Sequence, residues 1–94
     1  MATETFFDDL FIYLIDNDMK NEIQEWLNKL LIDKEVFSLA LERLLLILLE
    51  DRKYQEFEKY WLEYKDSFKE RSRNALIRVM DEIEDSDYLE LMAR

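Results

Sequence analysis

Large apolar residues recur along this chain three and four positions apart, the period of a helix face, and polar clusters interrupt them at nearly even intervals. The interruptions read DND at 16–18, DKE at 33–35, EDR at 50–52, KDS at 65–67 and EDSD at 84–87, about 17 residues apart. The pattern predicts helices over about 5–16, 18–32, 34–50, 52–66 and 68–84, followed by a short C-terminal segment over 86–92 that either docks or frays. Connections this short return neighbouring helices antiparallel. The expected architecture is all-α: a single domain over 1–94, a four- or five-helix antiparallel bundle with short Asx- and Ser-type turns.

Each helix carries its own stripe. In the first, Thr5 is the expected N-cap, with Asp8 three residues on, and Phe6, Phe7, Leu10, Phe11 and Leu14 are the apolar face. Ile12, Tyr13 and Ile15 extend that surface around the helix. The second opens at Asp18 and places Ile23, Trp26, Leu27, Leu30 and Leu31 on one side. The third, from about Asp33, contains LLLILL at 44–49 and is apolar on every side, the pattern of a central helix. In the fourth, Tyr54, Phe57, Trp61, Tyr64 and, past the turn, Phe68 are spaced 3, 4, 3 and 4 apart, with Tyr60 widening the face. Ser67 and Glu70 form a capping-box pattern that starts the fifth helix, whose expected buried positions are Ala75, Leu76, Val79, Met80 and Ile83.

Composition narrows the chemistry. The 94 residues include no Gly, Pro, Cys or His. Without Gly or Pro there are no easy positive-φ or fixed-φ turns and no tight Asn-Gly hairpin, which again favours helices. A glycine-rich phosphate loop cannot be built. The missing Cys and His remove thiol nucleophiles, zinc thiolates, the commonest general base near neutral pH and the commonest transition-metal ligand. No enzyme, cofactor or metal site is therefore expected. The carboxylates lack an EF-hand loop and a Glu-x-x-His pairing, and read as solvated faces. The acidic N-terminus does not resemble a signal peptide, and six residues is the longest apolar run, so a soluble cytoplasmic protein is expected.

Net charge is −10 and unevenly placed: −8 over 1–51 (12 acids, 4 bases), +3 over 52–78 (5 acids, 8 bases) and −5 over 79–94 (6 acids, 1 base). Such a balance disfavours direct nucleic-acid binding and suits a partner with a basic surface. The apolar content exceeds what a small bundle readily hides, so a protein partner or a homo-oligomer is expected to cover the remainder.

The helix-four aromatics admit two roles, core packing against helix three or an open contact groove. The candidate partner-binding residues are Phe7, Phe11, Tyr13, Tyr60, Trp61 and Tyr64, with an acidic rim of Asp8, Asp9, Asp81, Glu82, Glu84, Asp85 and Asp87. The expected function is a non-enzymatic protein–protein interaction module, an adaptor or inhibitor. The alternative is an inhibitor whose carboxylates imitate a nucleic-acid backbone, similar in composition to small acidic phage and plasmid proteins that block DNA-binding enzymes. A helix pair of about 34 residues also has the length of a tetratricopeptide repeat, and EDRKYQEFEKYWLEY is faintly similar to one of its helices. The small residues and proline of that pattern are missing, and no family is assigned.

Overall fold

A computed structural model describes residues 3–93. Six helices account for most of these residues: α1 (Thr3–Asp16), α2 (Lys20–Leu30), α3 (Lys34–Glu50), α4 (Tyr54–Tyr64), α5 (Glu70–Asp81) and α6 (Ser86–Met92). The short C-terminal segment is thus the sixth helix, and no strand occurs among the described residues. None of the helices described is long and apolar enough to cross a membrane.

α3 packs against α1, α2, α4 and α5. Phe37, Ala40, Leu41, Leu44, Leu45, Ile47, Leu48 and Leu49 are all buried, leaving a partly open strip at Val36, Leu39, Glu42, Arg43 and Leu46. A helix apolar nearly all round hides that surface only by taking neighbours on several sides. α1 and α2 also pack on each other, and α6 lies against α4.

Helix ends depart from the expected ones in instructive ways. Thr5 lies inside the first turn of α1. Asp33 does cap α3, its carboxylate accepting from the backbone N–H groups of Glu35 and Val36. The α2 N-cap is Met19, while Asp18 instead takes a positive φ of 53°. Ser67 does not cap α5. The N-cap is Lys69, with no side-chain cap, and its own backbone N–H donates to Ser38 Oγ on α3 at 2.8 Å. The Ser38 hydroxyl donates in turn to the Lys34 carbonyl at 2.6 Å.

Two turns share one design. After α1, Met19 N–H bonds the Leu14 carbonyl and Asp18 N–H bonds that of Ile15. After α3, Lys53 N–H bonds the Leu48 carbonyl and Arg52 N–H bonds that of Leu49. Both are Schellman endings, with Asp18 (φ 53°) and Arg52 (φ 59°) in the left-handed position usually held by glycine. The N-cap that follows has φ −91° and ψ 64° at Met19, and φ −91° and ψ 66° at Lys53. Residues 18, 19, 20 and 30 therefore recur structurally at 52, 53, 54 and 64, an offset of 34 positions. The pair α1–α2 is repeated by α3–α4. The α5–α6 pair breaks the spacing, with a connection over 82–85 and a shorter second helix.

Candidate functional site

The burial of α1 is one-sided. Phe7, Phe11, Leu14 and Ile15 are buried, whereas Phe6 is 49% exposed, Ile12 44% and Tyr13 58%. Phe6, Leu10 and Tyr13 are spaced i, i+4 and i+7 and so share a face, with Leu10 half-buried between them. Asp9 stands i+3 from Phe6 and i−4 from Tyr13, on the same side, and is exposed. Phe6 is steadied from below by edge contacts with Phe7 (5.4 Å between ring centroids) and Trp26 of α2 (6.2 Å). The result is an apolar stripe on a helix with four carboxylates (Glu4, Asp8, Asp9, Asp16) and no base.

Asp8 faces the other way. Arg43 of α3 grips it with two hydrogen bonds, Nε to Oδ1 at 2.7 Å and Nη2 to Oδ2 at 3.0 Å. That fork, with the partial desolvation around it, is the geometry in which an Arg–carboxylate pair is strongest. It also raises the Arg43 pKa above its ordinary value, chiefly through the hydrogen bond to Asp8.

Most of the aromatic residues expected at a contact surface lie inside. Phe7 and Phe11 stack on each other in the core. Tyr60 is buried, with Lys59 Nζ over its ring at 5.5 Å, and burial pushes its hydroxyl pKa up. Tyr64 is buried with its ring edge on Phe37, its hydroxyl accepting from Gln24 Nε2 at 2.7 Å. A Tyr whose polar tip is satisfied by a neighbouring helix has no need of solvent or a partner. Trp61 is half-buried, stacked on Phe57 and edge-on to Phe68. Of the six aromatic candidates, Tyr13 alone is exposed. The helix-four seam is core, and the expectation that Tyr60 and Tyr64 face outward is corrected by these contacts.

The carboxylates expected to form one rim are divided between two regions. Asp8 and Asp9 lie on α1, which among the described residues does not pack against α5 or α6; its N-terminal Thr3 and Glu4 share a surface cavity with α5. Asp81 and Glu82 end α5 and are exposed, as are Glu84 in the connection and Asp87 in the first turn of α6. Asp85 is occupied: Oδ1 accepts from Asp87 N–H at 2.9 Å, and Oδ2 accepts from Tyr54 Oη at 2.9 Å and Arg52 Nη2 at 2.7 Å. Those three donors lower its pKa, the Asp87 N–H most of all. Among the described residues no group of His, Cys, Asp or Glu is placed to hold a metal ion.

Sequence periodicity missed Phe6, Leu10 and Ile12 as surface residues, because an apolar stripe reads the same whether a neighbour covers it or not. The offset of 34 gives no signal for them either, since the positions matching Phe6, Leu10 and Tyr13 in α3 are Ala40, Leu44 and Ile47, and all three are buried. Comparison of the chain with protein-family models, with curated proteins and with solved structures gives no match.

Proposed function

We propose that this protein is a non-enzymatic binding module that engages another protein through the α1 stripe of Phe6, Leu10 and Tyr13, with Asp9 and the neighbouring carboxylates steering a basic surface toward it. The observation that carries the reading is the exposure of Phe6 and Tyr13 on a helix whose opposite side is fully packed. Aromatic anchors supply affinity when desolvated, and a surrounding charge of one sign supplies steering and selectivity. Supporting it as well is the fate of the rival carboxylates. Asp8 and Asp85 are held by Arg43, Arg52 and Tyr54, which favours an aromatic contact over imitation of a nucleic-acid backbone. The scaffold we infer for this surface is an antiparallel bundle, since connections of three residues between α1 and α2 and between α3 and α4 leave each pair little room except to fold back.

A photo-crosslinking residue placed at Tyr13 tests the proposal in an extract of the cells that make the protein. The expected result is a discrete crosslinked species that disappears in a folded Phe6→Ser variant and falls only weakly between low and moderate salt. A species that persists in Phe6→Ser, or one lost steeply with salt, would return the function to the carboxylates.

A further inference from the structure

The internal repetition says what kind of object fits the exposed face of α1. On α3 the positions matching Phe6, Leu10 and Tyr13 are Ala40, Leu44 and Ile47, exposed 0%, 0% and 8%. The position matching Asp9 is Arg43, which reaches across to Asp8 of α1. This is therefore the side of α3 that lies on α1. What covers it is an amphipathic helix presenting apolar residues, with an opposite charge set beside position 43. α1 turns the matching row outward, with the aromatics Phe6 and Tyr13 where α3 has Ala40 and Ile47, and with the charge inverted, acid at Asp9 where α3 has base at Arg43.

We infer that the Phe6–Leu10–Tyr13 face of α1 receives an amphipathic helix from a partner protein, one that sets a Lys or Arg beside Asp9. The inference rests on the binding role proposed above and gives the partner's chemistry. Charge selects this occupant over a second copy packed α1 to α1. Such a pairing would bring two helices of four carboxylates and no base together, and of the cations nearby Arg43 is committed to Asp8 while Lys29 lies over the Trp26 ring. A helix with a basic residue forms across the new interface the kind of pair that Arg43 and Asp8 form across the existing one.

The test uses the full chain, labelled with nitrogen-15, and two 14-residue peptides. One has the sequence of Thr3–Asp16, the segment that covers this side of α3; the other is the same peptide with Asp8→Arg. A short isolated helix is only marginally formed, so binding is followed by amide shifts up to millimolar peptide. The Asp8→Arg peptide is expected to shift the Asp9, Leu10 and Tyr13 amides and to bind about tenfold more tightly than the native-sequence peptide. An Asp9→Arg protein should invert that preference, and Tyr13→Glu should abolish binding of both. Equal binding of the two peptides, shifts confined to other helices, or no binding overturns the inference. So does a dimer of the free protein, seen by light scattering, that Tyr13→Glu dissolves, since a second copy would then be the occupant. Crosslinking at Tyr13 that persists in extract while the peptides show no charge preference removes the basic helix and leaves the binding role standing.

Discussion

Asp18 and Arg52 hold left-handed backbone that glycine would adopt freely, in a chain that has no glycine. An L-residue in this region costs about 1–2 kcal/mol, less for Asp, whose short side chain tolerates it. The flanking bonds, Met19 to Leu14 and Lys53 to Leu48, keep both turns in place despite that cost. Asp18→Gly should therefore stabilise the protein, by about 0.5–1 kcal/mol after allowing for the greater freedom glycine gives the unfolded chain. Its ion pair with Lys20 spans 3.9 Å in the open and contributes little to set against the gain. Thermal unfolding followed by circular dichroism should rise by about 2–6 °C. Arg52→Gly should gain less, because Arg52 also holds Asp85. A lower midpoint for Asp18→Gly would mean that its side chain, not its backbone, organises the turn.

At the scale of helices, α5 shows how a local rule is displaced by a neighbour. In a capping box the fourth residue's side chain returns to the N-cap's own N–H. Here that N–H, on Lys69, is taken by Ser38 Oγ, from a helix packed alongside. Ser38 is 2% exposed, so replacing it with Ala leaves Lys69 N–H without this partner at a packed helix junction. Ser38→Ala should cost about 1–2 kcal/mol in urea unfolding, while Ser67→Ala should fall within about 0.5 kcal/mol of wild type. The opposite ranking would restore the local cap. The same contrast explains what was legible in the sequence. Polar clusters located all five connections to within about two residues, because interruptions of an apolar period are local. The start of α3 near Asp33 was also legible, since the cap that fixes it takes donors only two and three residues on. The α5 cap was not, because Ser38 is 31 positions away. Nor was the burial of Tyr60 and Tyr64, which depends on what covers them: Tyr64 is closed by Gln24 across 40 positions.

The whole molecule is unevenly held. α3 lies among four other helices, whereas α6 lies against α4 alone among the helices described. Among the ties that keep α6 there are Tyr88, its ring edge-on to Tyr54 at 5.3 Å and tilted against Phe57, the buried Leu91, and Asp85, the cap that accepts from Tyr54 and Arg52. Regions with few neighbours open at low free energy without global unfolding. Asp85 makes that opening pH-dependent. Its pKa in the folded state is depressed below the ordinary Asp value of about 3.9, first by the Asp87 N–H and then by the Tyr54 hydroxyl. A depressed carboxylate contributes stability that is fully present above the unfolded pKa and is lost as pH falls through the folded one. The tie should accordingly be intact at neutral pH and weaken below about pH 4. Native-state hydrogen exchange is the direct measurement, with α6 reported by the Leu89 and Ala93 amides, which bond the Asp85 and Leu89 carbonyls. In Asp85→Asn at neutral pH these two amides should exchange at least tenfold faster than in wild type. The Leu44 and Leu45 amides of α3 should keep their protection. Asp85→Asn should also remove most of the additional α6 opening that acid produces in the wild type, because the group that titrates is gone. If α3 and α6 amides instead lose protection together in the variant, the six helices open as one unit and Asp85 is a bond of the global fold.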